Sequence, residues 1–520
     1  MKRSSGILMP VFSLPSPYGI GTLGKAAYEF VDFLKAAGQT WWQILPLGPT
    51  SLGDSPYQSP STFAGNPYFI DPDLLAEDGL LTAEEIEAYD FGDDPERVDY
   101  GLLYQNRYRM LEAAAARGMK KYETGIAAFR KEQAGWLEDY ALYMACKKHF
   151  DMLCWLDWPD KKLRMRDPAA LHKYRNALKE EIDLQVFMQF LFFKQWAALR
   201  AYAHEAGIKI FGDMPLYMAL DSAEVWAAPQ FFLLDEENYP VKVAGVPPDY
   251  FSEDGQLWGN PLYNYDAMEK DGFGWWIRRV DGASKLYDAI RFDHFRGLAS
   301  YWAVPYGAKT AKTGKWEKGP GMKLVGVLRG WFPQIQFIAE DIGVQTPDVV
   351  ELLEDSGFPG MKVLEFAFDS KEESSYLPHM YEHNCVCYIG THDNDTLLGW
   401  KEQALEADVN KAKCYLGLNG EEGFSWGVIR GGMSSVADLF VTQMQDYLEL
   451  GSEARINSPG IAGGNWRWRM LPGAADEKLA EKLFAMTVLF GRCERPAPEE
   501  EEEEAPEKES EETSPVKEDK

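Results

Sequence analysis

Short apolar runs recur along this chain, each of strand length and each followed at once by polar or Gly/Pro-rich sequence: Trp41 to Leu47, Ile208 to Phe211, Ala289 to Phe292, Gln336 to Ala339, Met361 to Phe368, Cys385 to Ile389 and Ala454 to Ile456. Helical patterns separate them. Strands alternating with helices argue for a parallel sheet covered by helices rather than for separate all-α and all-β domains. Between Asp73 and Gly207 the pattern is mostly helical instead. It opens with a capping box at Thr82 and Glu85 and continues through long amphipathic stretches such as Asp183 to Ala206. The expectation is an α/β fold: a (β/α)8 TIM barrel over 1–493 with a large, mostly helical insertion at about 73–207. From Glu494 onward the chain carries thirteen acidic side chains against four basic ones and no aromatic residue. Such a segment buries too little apolar surface to offset its ordering entropy, so 494–520 is expected to be a disordered acidic tail.

Acidic residues sit just beyond the apolar runs: Asp213 after IKIFG, Asp293 after AIRF, Glu340 after QFIA and Asp393 after CYIGTH. In a barrel of this kind those positions face the bowl at the C-terminal ends of the strands, where active sites of the fold lie. Four carboxylates converging there repel one another, and their shared field raises at least one pKa. Arg291, two residues before Asp293 and so on the same face of its strand, is the local compensator. His294 and His392 stand beside the acids. One carboxylate in such a place reads equally well as a helix cap, but four in the same setting point to chemistry on a bound ligand. The chain has no H-E-x-x-H or EF-hand spacing, and no metal is expected.

Aromatic residues make up 14% of the chain, and several fall in polar, Gly/Pro-rich stretches: Tyr57 in SPY, Tyr250 and Phe251 in VPPDYFSEDG, Trp258 in QLWGNPLY, and Trp466 and Trp468 in GGNWRWR. Sugar rings present C–H faces that stack on such side chains, while their hydroxyls need Asp, Asn, Arg and His partners. Loops that hold large aromatics usually hold them for binding, which suggests a long saccharide groove.

Other classes are disfavoured. GIGTLG at Gly19 to Gly24 fits G-x-G-x-x-G, but proline-rich sequence precedes it and Gln39 stands where the acidic residue belongs, so no nucleotide cofactor is expected. The formal net charge of -29 argues against nucleic acid or an anionic membrane surface as a partner. The six cysteines lack the spacing of a zinc ribbon or disulfide scaffold and read as reduced thiols of a cytoplasmic protein. Pro10 interrupts the first apolar run, no A-x-A site follows it, and no stretch is long and apolar enough to span a membrane.

From GILMPVFSLPSPYGIGTLG to GNWRWRM the chain resembles the 4-α-glucanotransferases known as amylomaltases or disproportionating enzymes, of the α-amylase clan. The resemblance is carried by WWQILPLGPTSLGDSPYQSPSTFAGNPYFID, FGDMPLYM, AGVPPDYFSEDGQLWGNPLY, IRFDHFRG, IAEDIG, GMKVLEFAF, GTHDNDT and NSPG. It implies that Asp293 is the nucleophile, Glu340 the general acid/base and Asp393 a third carboxylate that binds sugar hydroxyls. It further places Asp213, Arg291, His294 and His392 around the sugar at the cleavage point, with Ser55 and Tyr57 nearby. Tyr250, Phe251 and Trp258 belong, by the same resemblance, to an active-site loop at 240–265, and Asp369 and Asn465 are implied sugar contacts. Ser458 stands where threonine is expected and Glu365 where glutamine is expected. The implied partners are α-1,4-glucans and maltooligosaccharides, with no cofactor; monomer and homodimer both stay open. A retaining α-glucan hydrolase with the same residues is the alternative activity, separable by whether reducing ends increase. A non-catalytic glucan-binding protein fits less well, because the acidic set is intact.

Overall fold

A computed structural model describes residues 2–248, 252–343, 345–461 and 463–494. Twelve strands are found among them: β1 (Ser4–Leu8), β2 (Trp41–Gln43), β3 (Lys209–Met214), β4 (Lys242–Val246), β5 (Gln256–Pro261), β6 (Ala289–Phe292), β7 (Ser300–Pro305), β8 (Lys315–Lys318), β9 (Gln336–Ala339), β10 (Gly360–Val363), β11 (Cys385–Tyr388) and β12 (Leu439–Gln443). Eight of them form one sheet in the order β10-β11-β12-β1-β2-β3-β6-β9. Every hydrogen-bonded pair in it is parallel. The two ends of that sheet meet where Ala339 N–H donates to Pro359 O at 2.9 Å, so the sheet curls into a nearly closed barrel. Helices cover its outside, among them Lys25–Ala36, Lys179–Glu205, Gly274–Leu286, Met322–Trp331 and Phe424–Ser434. Strands buried on both faces read as unbroken apolar runs, and residues such as Ile7, Trp42, Ile210, Ile290, Ile338, Val386 and Val441 are fully buried.

Two barrel strands differ from the sequence expectation. Ala454 to Ile456 is not a strand: Ala454 ends the 3-10 turn Ser452–Ala454, and the residues after it run on toward the active site. The missing strands are β1 and β12, whose polar Ser5, Thr442 and Gln443 are completely buried and hide the apolar signal. The run at Met361 is also shorter than expected, because the chain leaves β10 at Val363 and turns through Leu364–Phe366.

Between β2 and β3 the chain runs through a series of helices from Pro72–Glu77 to Lys179–Glu205. Side chains just ahead of them supply the first-turn acceptors: Asp71 for Leu74 N–H, Asp99 for Leu102 N–H, and Thr82 with Glu85 in a reciprocal capping box. The irregular segment before these helices needs other partners for its backbone. Two buried glutamines of Lys179–Glu205 provide them. The Gln189 amide accepts from Gly65 N–H at 2.8 Å and donates to Gly65 O at 2.9 Å, and Gln195 does the same for Asp71 at 2.7 and 3.2 Å.

The remaining strands form an antiparallel sheet in the order β5-β4-β7-β8. Much of the 240–265 span is thus taken up by β4 and β5, and Trp258 lies on β5. Tyr250, Phe251 and the acidic tail beyond Glu494 lie outside the described residues. No helix among the described residues is long and apolar enough to cross a membrane.

Candidate active site

Phe292 and Ala339 pair in register on β6 and β9, so the residues that follow them, Asp293 and Glu340, emerge side by side at the C-terminal mouth of the barrel. The ladder continues through both: Asp293 N–H donates to Met214 O at 3.1 Å and Glu340 N–H to Phe292 O at 3.0 Å. Neither carboxylate therefore sits on a free loop. Arg291 shares the face of Asp293 and places Nη1 3.0 Å from Asp293 Oδ1 and 3.0 and 2.8 Å from the two oxygens of Asp213. Asp213 is fully enclosed and Arg291 nearly so, whereas 27% of the Asp293 side chain remains open. A buried ion pair thus underlies one accessible carboxylate.

Glu340 is held by backbone. Its Oε2 accepts from His294 N–H at 2.7 Å and its Oε1 from Ile342 N–H at 3.1 Å. His294 aims its N–H this way with φ at 52°, a left-handed conformation that costs a non-glycine residue on the order of 1 kcal/mol. Such strain persists only where the surroundings over-determine it, and the charge-assisted bond to Glu340 is one such restraint.

The opposite wall is built around Tyr57. Ser55 Oγ accepts from Tyr57 N–H at 3.2 Å and so fixes the turn, while the Tyr57 hydroxyl donates to Asp213 Oδ2 at 2.8 Å and lies 2.8 Å from His392 Nε2. The Tyr57 and His392 rings stack at 5.2 Å, and Trp466 packs against both. His392 Nε2 is 3.4 Å from Asp393 Oδ2, whose other oxygen accepts from Asn457 Nδ2 at 2.6 Å. Arg455 donates to the Asp393 carbonyl at 2.8 Å. Tyr57 therefore links the Asp213–Arg291–Asp293 side of the cluster to the His392–Asp393 side. Trp258 closes a third side, meeting the His294 ring edge-on at 4.8 Å.

Asp369 and Asn465 do not join this hydrogen-bonded cluster. Asp369 is exposed and accepts from Lys371 N–H, and the Asn465 amide is occupied in closing its own loop through Ser458 and Ile461. Sequence reasoning missed Asn457 and Arg455 as supports of Asp393. The one available signal was the Asn of NSPG, a motif seen but given no role. Trp466, expected only as a loop aromatic, packs against Tyr57 from a left-handed backbone with φ of 64°.

Electrostatics separate the acids from the histidines. Burial lifts the carboxyls of both Asp293 and Glu340 above the usual range; Arg291 opposes the rise, and each is raised further by neighbouring carboxylates. Both shifts favour the protonated carboxyl over the charged one. Burial pushes the His294 imidazole down to about 3, with Arg296 adding to the effect, and also lowers His392 although Asp393 opposes it. Both shifts favour the neutral imidazole.

A parallel barrel whose mouth holds two adjacent carboxylates beside an aromatic-walled opening has the form of the glycosidic-bond enzymes that work by paired carboxylates. Comparison with known proteins narrows this. The family model described as 4-alpha-glucanotransferase matches residues 9–474, and the chain belongs to that family, glycoside hydrolase family 77. The chain is 49% identical over 488 residues to the 4-alpha-glucanotransferase of Clostridium butyricum, covering 94% of this chain and all of that one. The Thermus thermophilus 4-alpha-glucanotransferase is likewise 49% identical over 504 residues, covering 95% and 99%. Among solved structures, the amylomaltase of Streptococcus agalactiae in complex with acarbose superposes with a TM-score of 0.93 at 41% identity, covering 95% of this chain and 100% of that one. Transfer of α-glucan segments is accordingly the activity of this chain.

Proposed function

We propose that this chain carries out a retaining transfer between α-1,4-glucans or maltooligosaccharides, with Asp293 as nucleophile and Glu340 as acid and then base. The observation that carries the reading is the register of β6 and β9, which sets the two carboxylates on neighbouring strands. Adjacent strands lie about 4.8 Å apart. A backbone spacing of that size favours the roughly 5 to 5.5 Å carboxyl separation of retaining enzymes over the roughly 6.5 to 9.5 Å of an inverting pair.

In this reading Asp293, paired with Arg291, acts as the carboxylate, and Glu340 carries the proton. Asp293 attacks the anomeric carbon while Glu340 gives its proton to the departing 4-oxygen, forming a covalent glucosyl-enzyme. Glu340, now a base, takes the proton of an incoming 4-hydroxyl, and the second displacement restores the α-linkage and frees Asp293. Asp393, held by Asn457 beside His392, binds sugar hydroxyls in this reading as the ring distorts. Asp213 is enclosed and acts through Arg291 and Tyr57 rather than by touching sugar. Trp258 offers an acceptor-side stacking surface, and Tyr250 and Phe251 are read from sequence as its companions. Free, unpaired thiols at Cys146, Cys385 and Cys387, all buried and raised to about 11 or 12 by burial, suit a reducing compartment such as the cytoplasm.

Asp293→Asn with maltotriose tests the reading. The variant removes the nucleophile but keeps its shape, so turnover should fall to less than a few per cent while maltooligosaccharide binding survives. The parent should yield glucose plus longer maltooligosaccharides without a net rise in reducing ends. An Asp293→Asn variant with near-parental turnover would assign the attack to another group.

A further inference from the structure

Behind the turn that carries His392 and Asp393 lies a second set of carboxyls that the reaction above does not use. Glu365 is buried in the turn Leu364–Phe366 just beyond β10. Its N–H donates to Ile389 O at 3.1 Å, joining the ends of β10 and β11. Its carboxyl lies against Gly390, where an added Cβ would come within 2.8 Å of Glu365 Oε1 and 3.0 Å of Asn394 Cβ. The Asn394 side chain hydrogen-bonds that carboxyl. Asn394 also closes the catalytic turn, its Oδ1 accepting from both the N–H and the hydroxyl of Thr391 at 2.9 Å. Glu365 is thus two contacts away from His392 and Asp393.

The charged groups facing Glu365 are Asp395 from the same turn, Asp446 from the helix Met444–Tyr447, and Arg455 from the following loop. Asp446 is occupied by Leu397 N–H and the Thr442 hydroxyl, both at 2.8 Å. Arg455 approaches Asp395 at 3.8 Å and donates to the Asp393 carbonyl. Arg455 is thus divided between Asp395 and Glu365, while Glu365 Oε1 is buried with no hydrogen-bond partner. An ionised carboxylate with an unsatisfied oxygen is strongly disfavoured in such a place. Burial first, then Asp446 and Asp395, push the Glu365 carboxyl well above the usual range, against the weaker pulls of Arg455 and of the Asn394 hydrogen bond.

We propose that Glu365 is a positioning residue which holds the Thr391–Asp395 turn, and with it His392 and Asp393, in working geometry only as the uncharged acid. This rests on the reading of Asp393 as a substrate-contacting carboxylate. The charge of an ionised Glu365 is relieved by drawing Asn394 out of the turn or by opening the turn to water, and either moves Asp393.

Transfer from maltotriose by the parent, Glu365→Gln, Glu365→Leu and Asp393→Asn, followed from about pH 5 to about pH 9, tests this. Glu365→Gln should match the parent at the acid end, and the ratio of its kcat to the parent's should rise by at least about fivefold toward the alkaline end, because every other titration is common to both and cancels. Glu365→Leu, which cannot hold Asn394, should have reduced kcat at every pH. Melting temperatures accompany the rates. A raised acid loses stability as pH climbs from the ordinary carboxylate range to its folded value, so Glu365→Gln should gain on the parent over that window. A flat kcat ratio overturns the proposal, even where the stability gain is seen, since Glu365 is then structural only. Should Glu365→Leu fail to fold, the Glu365→Gln ratio decides alone. A fully active Asp393→Asn would instead overturn the reading of the site on which the proposal rests.

Discussion

In the proposed mechanism Asp293 and Glu340 face a common problem: two carboxylates on neighbouring strands repel one another, and the reaction needs one with its proton and one without. The structure divides the means of holding charge between them. Asp293 has a full cation at 3.0 Å, and Glu340 has two backbone N–H groups, one supplied by a strained histidine. Because burial raises both, the pH profile of kcat/KM should be bell-shaped with both limbs above the range of free carboxylates. On the proposed roles, activity should be lost on the acid side as Asp293 takes a proton and on the alkaline side as Glu340 gives one up. Glu340→Gln should be nearly inactive on natural glucans but keep measurable attack on an α-glucosyl fluoride, whose leaving group needs little protonation. The alkaline limb for that substrate should disappear. Loss of both substrates to the same extent would take the acid role away from Glu340.

Site residues are only as well placed as the segments that carry them, and here legibility in the sequence divides sharply. Asp293 and Glu340 were readable because each follows a short apolar strand without an intervening loop, so one-dimensional adjacency equals position in space. Asn457 and Arg455 were not, because they reach Asp393 from a loop more than sixty positions further along the chain whose own signal resembled a strand. Likewise β1 and β12 hid behind buried Ser, Thr and Gln, and the antiparallel sheet bearing Trp258 had no strong alternation to announce it. The Tyr57 segment is held by distant buried groups of the same kind. Pro60 O accepts from Ala223 N–H at 2.9 Å, and the Ser61 hydroxyl donates to Glu224 Oε1 at 2.6 Å. Glu224 Oε2 is buried without a partner, and burial lifts the carboxyl to about 7 despite Ser61 and Arg279. An acid raised from the unfolded value has its full stabilising effect below about pH 4 and loses it as pH rises to the folded value. Glu224→Gln keeps the acceptor for Ser61 and lacks the titration. Denaturant unfolding should therefore show it equal to the parent near pH 4 and more stable at pH 8 by on the order of 3 kcal/mol. An unchanged difference across that range would mean that Glu224 is not an enclosed, uncharged acid.

For the whole molecule the question is what a formal charge of -29 does for a protein whose substrate is neutral. Long-range fields raise encounter rates only for charged ligands, so the surface charge offers a glucan no steering. The charges that the proposed mechanism uses are those of the Arg291 cluster, which are largely buried and little screened by salt. The acidic segment from Glu494 onward belongs to the other category. Its first residue pairs with Lys2, both side chains being more than 80% exposed, and an exposed pair of that kind contributes little. Truncation after Cys493 should therefore leave kcat/KM on maltotriose unchanged at low and at high salt. The melting temperature should stay the same or rise slightly, because like charges are removed from an already acidic protein. Solubility near the isoelectric range is the property that should suffer. A fall of several degrees in melting temperature, restored by supplying the excised peptide in trans, would show instead that the acidic segment docks on the barrel, and that its composition conceals a binding sequence.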